Sequence, residues 1–228
     1  MRDYCNMPNL FRAALLSAVF TLLSVGRIVH GSLLLRITLP QAVMACFCAL
    51  TLVCAAVTAW GRKAGMPGIV TDSRTFLRGA GLALLLALAA LPVFRYVLDP
   101  LLGGVLAASG NDAALEMNYP STLAGQVALL CWMAGFQTLF VCAAPMSLFA
   151  RLTGRRDFAL ALCMALGVYL VYLKVTDLGM QEHLLLFAIP SLLGCGFACF
   201  LFSRFGLAPT MILVAAMNLR LLLPPLSP

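Results

Sequence analysis

The sequence predicts an all-α protein, a polytopic transmembrane helical bundle of about seven spans. Of its 228 residues, 63% are hydrophobic and only 10% are charged, whereas soluble domains are about half apolar and a quarter charged. The apolar residues form continuous runs of about 18 or more residues, each long enough to cross ~30 Å of hydrocarbon. Continuous runs favour helices, because the strands of a membrane β-barrel alternate apolar and polar residues.

Seven apolar runs predict the spans of one integral membrane domain, residues 1–228. The first run follows a basic start but lacks a clear signal-peptide cleavage site, so it is interpreted as a helix. Trp60 ends the second run at the expected interface. Pro100 is expected to end the third run, where Arg95 can pair with Asp99 one turn further on. The predicted spans are 10–29, 38–60, 79–98, 124–150, 158–175, 184–203 and 207–223.

The loop charges predict an orientation in the membrane. Loop 61–78 carries four Lys or Arg residues and loop 151–157 carries three, whereas loop 99–123 carries none. Basic loops stay in the cytoplasm, so loops 61–78 and 151–157 are expected inside and loop 99–123 outside. The expected membrane is a bacterial inner membrane. Arg27 and Arg36 oppose this assignment, since they flank a turn that it places outside.

The positions of the basic residues and of the cysteines both fit a chain whose partner is the lipid bilayer. The net charge is +7, but the basic residues are scattered at helix ends, so we expect no nucleic-acid partner. Eight of the nine cysteines fall inside apolar runs, where cysteine acts as a small hydrophobic residue that lets helices approach. The sequence therefore predicts no cofactor, no metal site and no disulfide framework.

Few residues inside the spans can carry out chemistry. No Asp or Glu lies in the middle of a predicted span, whereas a zinc hydrolase needs about three protein ligands and a general base. Five polar residues singled out within the spans have two interpretations: hydrogen bonds between helices, or the lining of a substrate groove. These residues are Gln41, Gln137, Thr138, Ser191 and Asn218.

Glu182 and His183 form the one acid–histidine pair in the sequence. The pair can bind a metal or exchange protons. It can also be a polar start to the sixth span, with Glu182 favourable at a helix N-terminus. No second histidine lies close to it in sequence.

Three stretches in residues 130–222 have an order and spacing like those of a known family. The first is "FQTLFV" at 136–141, and the second is "LFARLTGRRDFALALCMALGVY" at 148–169. The third is "IPSLLGCGFACFLFSRFGLAPTMILVAAMN" at 189–218. In this layout the region resembles the CAAX-protease and bacteriocin-processing (CPBP) family of intramembrane proteases. The resemblance implies a protease-like helical core at about 124–223.

The family's hydrolytic site consists of glutamates and histidines, and this chain replaces them. Phe136 and Gln137 stand at the glutamate positions, and Tyr169 and Val214 stand at the histidine positions. An amide does not titrate near neutral pH, so Gln137 cannot act as the base. The other family positions in this chain are Phe140, Val141, Ala165, Gly194, Gly196, Pro209 and Asn218.

The resemblance therefore implies a non-catalytic member that acts by binding, as a membrane-embedded partner or subunit of a membrane protein. No catalytic residue is assigned. The resemblance brings the first and last motifs together, so an interior polar site is expected from Gln137, Thr138, Tyr169 and Asn218.

Two alternatives remain open at the level of sequence. A small transporter or a transport-complex subunit would use Pro92, Pro145 and Pro190 to break helices around a pathway. An active protease would need ligands from the loops, such as Glu182 and His183.

Overall fold

A computed structural model describes residues 7–29, 37–67, 72–110 and 112–223, and the regular structure in these ranges is helical, as predicted. A short 3₁₀ turn, Gln181–His183, precedes α7, and another, Leu219–Leu222, follows α8. The helices are α1 Met7–Leu23, α2 Leu39–Lys63, α3 Ser73–Ala108, α4 Asp112–Asn118, α5 Leu123–Thr153, α6 Arg156–Asp177, α7 Leu184–Phe205 and α8 Leu207–Asn218.

Among the described residues, five helices are long and apolar enough to cross a membrane, namely α2, α3, α5, α6 and α7 with the 3₁₀ turn before it. Two shorter apolar helices, Ala13–Leu22 and Leu207–Leu222, coincide with the first and last predicted spans. By the length and composition of its helices the chain is a multi-pass membrane protein. The turn between the first two predicted spans, with Arg36, lies outside the described residues.

Arginine side chains join the two basic loops at one end of the bundle, here called the basic end. The Arg156 guanidinium donates to the backbone oxygens of Ala64, at 3.3 Å, and of Gly65. The Arg151 guanidinium carbon lies 6.0 Å from the centre of the Trp60 ring. The loops that the sequence predicts on the cytoplasmic side therefore share one face.

The opposite end gathers the chain that connects α3 to α5, and is here called the acidic end. Arg27 donates to the backbone oxygen of Met117. The Lys174 Nζ donates to the Asn118 Oδ1 at 2.6 Å. Arg27, which opposes the predicted orientation, thus lies against α4 at this end and donates a hydrogen bond to its backbone.

Cysteine labelling is expected to confirm which end faces out. A membrane-impermeant thiol reagent added outside should label single cysteines introduced at exposed positions in 105–118 and should miss those at 64–76 and 152–156, because basic loops are retained in the cytoplasm. Labelling after permeabilisation controls for reactivity. Labelling of the basic end from outside would show that the chain has the opposite orientation to the one predicted.

Prolines interrupt α3 and α5 without ending them. Each helix contains a π-helical segment that ends two residues before a proline. These segments are Phe94–Leu98 before Pro100 and Met133–Ala143 before Pro145. A proline ring collides with the carbonyl four residues back in an α-helix. Here the Asp99 N–H bonds to the Phe94 oxygen, five residues back, and the wider turn takes up the mismatch.

The prediction that Pro100 ends the third span is therefore wrong. The helix continues to Ala108, and residues that the sequence assigns to the longest loop are helical in α3 and α4. The π segment of α3 also places charge near the acidic end, because it contains Arg95 and leads directly into Asp99.

Small side chains let helices approach at several places in the core. Cys54, Cys142, Cys163 and Cys199 are buried, and the eight cysteines among the described residues are free thiols. A Cβ added at Gly167 of α6 would lie 3.3 Å from the Cys195 Sγ of α7. The buried cysteines thus act as small hydrophobic residues, and α7 packs closely on α6.

Candidate polar cavity at the acidic end

A buried ion pair joins α3 to the C-terminal turn. The Arg220 Nε donates to both oxygens of Asp99, at 2.8 Å and 3.1 Å. The two side chains are only 10% and 13% exposed. Charged groups buried in a membrane protein are rare and mark functional sites by default. This pair is therefore the first candidate for a site.

The segment before α5 adds a third member to the pair. The Tyr119 hydroxyl donates to the Asp99 Oδ1 at 3.2 Å. Burial, with the Asp99 charge beside it, raises the pKa of Tyr119 above its usual range. The phenol therefore stays neutral and remains a donor to the carboxylate at physiological pH.

The remaining contacts of Arg220 fix its position. Its Nη1 donates to the Asn218 Oδ1 and to the Met217 backbone oxygen, both at 2.8 Å. Its guanidinium carbon lies 4.7 Å from the centre of the Phe94 ring, within the range of a cation–π contact. The π segment of α3 thus supplies both the aromatic face and, directly after it, the carboxylate.

A cavity of about 360 Å³ opens beside this ion pair and is here called the Arg220 cavity. Its size falls within the usual range for small-molecule sites. It combines charged groups with apolar walls from two prolines and two leucines. The lining residues are Arg95, Asp99, Pro100, Tyr119, Pro120, Ser121, Gln126, Arg220, Leu221 and Leu223.

The structure separates the four residues of the predicted interior polar site. Thr138 and Asn218 are buried, but Gln137 and Tyr169 are exposed. The interior placement of Gln137 and Tyr169 is therefore wrong. The physical reason is helix rotation: the π segment turns Phe136, Thr138 and Leu139 inward, and Gln137 takes the outer surface between them.

The two buried members bond within their own chain segments. The Thr138 hydroxyl donates to the Met133 backbone oxygen at 3.1 Å. The Asn218 Nδ2 donates to the Val214 backbone oxygen at 2.8 Å, and its oxygen accepts from Arg220. Asn218 thus supports the Arg220 cavity. A binding role for the predicted four-residue set stays a prediction.

Glu182 and His183 lie in the 3₁₀ turn at the start of α7. The His183 Nε2 is 3.4 Å from the Glu182 Oε1, and the side chains are 39% and 83% exposed. Within the described ranges, no group of three or more His, Cys, Asp or Glu residues is arranged to hold a metal ion.

Sequence reasoning missed Arg220 and assigned Asp99 a different partner. Arg220 is the only charged residue in the apolar run 207–223, which is the signal that marks it. Its partner lies 121 residues earlier, at a position that sequence spacing relates instead to Arg95. Arg95 itself donates to the Arg220 backbone oxygen at 3.5 Å.

Comparisons with protein-family models, with curated proteins and with solved structures found no match to this chain.

Proposed function

We propose that this multi-pass membrane protein acts by binding, without a hydrolytic step, as a membrane-embedded partner or subunit of another membrane protein. The observation that carries the proposal is the position of Gln137. It lies near the middle of α5, one of the membrane-spanning helices, and its side chain is exposed. At this depth the bilayer offers no hydrogen-bond partner.

An exposed amide at mid-membrane is unfavourable in the isolated chain. Transfer of an unpaired amide from water into an apolar medium costs roughly 2–7 kcal/mol. A polar side chain on a neighbouring helix removes much of that cost, with a contribution of about 0.5–2 kcal/mol per hydrogen bond. Phe140, three residues on, is also exposed and adds apolar surface to the contact.

The packing of the helices is compatible with the scaffold that the sequence resemblance implies. The π segment of α5 packs against α8, which brings together the helices that carry the first and last motifs. On this proposal the CPBP-like layout serves as a binding scaffold in which the hydrolytic residues are replaced.

Photo-crosslinking in native membranes tests the partner. A photoreactive amino acid at position 137 should give a protein adduct. The same residue at Leu85, which is exposed in α3, should give lipid adducts only. Gln137→Leu should reduce copurification of the adducted protein severalfold, because the interhelical hydrogen bond is lost. Lipid adducts alone at position 137 would contradict the proposal, and an adduct with a second copy would replace the heteromeric partner with a homodimer.

A second candidate is a small transporter or transport-complex subunit, and the two π segments favour it. Unwound or widened helix segments line the pathways of many transporters, and π segments are frequent at functional sites. A cysteine at position 137 distinguishes the two functions. Labelling by a water-soluble thiol reagent would indicate an aqueous pathway, whereas protection from the reagent together with protein crosslinking would indicate a subunit contact.

A further inference from the structure

We propose that the Arg220 cavity binds the anionic group of a small amphiphilic molecule, a phosphate or a carboxylate. Among the described lining residues, the charged ones are Arg95, Asp99 and Arg220. In a partly desolvated site, a guanidinium group whose N–H groups are not all used by the protein attracts an anion.

The donors of Arg220 are only partly used by the protein. Its Nε serves Asp99, and its Nη1 serves Asn218 and the Met217 backbone oxygen. The described residues provide no acceptor for its Nη2, although the side chain lines the cavity. The N–H groups of Nη2 are therefore the first donors for an anion, and guanidinium groups bind phosphate and carboxylate especially well.

The protein holds this arginine in place before any ligand arrives. Asp99, Asn218, the Met217 carbonyl and the Phe94 ring restrain the guanidinium. Preorganisation of this kind reduces the entropy lost on binding. The carboxylate of Asp99 occupies the Nε of Arg220 and leaves its Nη2 for a ligand.

The apolar walls of the cavity indicate that the ligand also has an apolar portion. Pro100, Pro120, Leu221 and Leu223 line the cavity, so an anion that carries a hydrocarbon portion is favoured over a purely inorganic ion. The cavity lies at the end of the bundle, where the headgroup of an anionic phospholipid and a soluble organic anion can both reach it.

One acidic group lies at the rim and opposes the anion. Exposed Glu116 accepts from the Ser121 backbone N–H at 3.0 Å and from the Ser121 hydroxyl at 3.1 Å. Ser121 lines the cavity. Neutralisation by Glu116→Gln should therefore tighten anion binding, and this direction of change is specific to a charge-based site.

Thermal unfolding of the full chain in non-ionic detergent tests the site. The probes are sodium phosphate at constant ionic strength and short-chain phosphatidylglycerol, with short-chain phosphatidylcholine as the uncharged-headgroup control. Saturable stabilisation by at least one anionic probe is expected. Arg95→Gln and Arg220→Lys should each weaken half-saturation about tenfold, the scale of one charge-assisted hydrogen bond. Arg74→Gln, an exposed change at the basic end, should have no effect.

The arms of the experiment distinguish the source of the anion. Saturation by phosphate supports a soluble ligand, and saturation by phosphatidylglycerol alone supports a lipid headgroup. Arg95→Gln leaves the Asp99–Arg220 pair intact and so keeps the test valid if Arg220→Lys does not fold. The proposal is overturned if no anionic probe saturates, if phosphatidylcholine acts equally, or if Arg95→Gln binds as tightly as the unmodified chain.

Discussion

Replacement of Arg220 by alanine is expected to lower the free energy of unfolding by about 3–5 kcal/mol, the usual effect of removing one member of a buried ion pair. Asp99, which is only 13% exposed in the intact chain, loses its counter-ion. The Tyr119 hydroxyl, its remaining donor, is neutral and cannot balance the charge. The lost energy is mostly the penalty of an uncompensated buried charge.

Denaturation in mixed detergent micelles measures this effect, and a double-mutant cycle isolates the pair. Asp99→Ala should destabilise to a similar degree, and the double variant should lose clearly less than the sum of the two single changes. Joint replacement of Glu182 and His183 by alanine, an exposed pair at the same end, is the control and should leave stability unchanged. A fully stable Arg220→Ala protein would show that the ion pair does not hold this end of the bundle.

Gly79→Ala is expected to separate α3 from α8 and α7 and to destabilise the protein by about 1–3 kcal/mol, as overpacking of a close contact does. A Cβ at this position would lie 2.6 Å from the Phe205 Cβ and 2.8 Å from the Pro209 Cγ. Both atoms belong to stiff groups, a Cβ fixed to the backbone and a proline ring. The helices must therefore move apart, because the side chains cannot yield.

Gly81→Ala is the matched control, since it makes the same chemical change two residues further along the same helix. A Cβ at Gly81 would meet no atom within 4 Å. This variant should be as stable as the unmodified chain, or more stable by up to ~1 kcal/mol, because alanine favours helix more than glycine does. Equal destabilisation by both changes would point to a backbone effect and would contradict the close contact.

The sequence alone predicts the helical class, the spans and the two ends of the bundle. Hydropathy is a local property that adds up along a run, so the five long apolar helices coincide with predicted spans. The distribution of Lys and Arg is equally local. It separates basic loops from an acidic one, and Arg156 does join the basic loops at one face. These features depend on the bilayer as solvent and need no knowledge of which helices are neighbours.

Only the tertiary structure decides the site. Asp99 and Arg220 are 121 residues apart, and no spacing rule relates positions on two separate helices. Pro100 predicts a helix end in the sequence, but a π segment absorbs it and carries the helix on. Gln137 faces outward because the rotation of α5 depends on its π segment and on the helices packed against it. Rotation and pairing are set by many contacts at once, whereas the sequence pattern reports each run by itself.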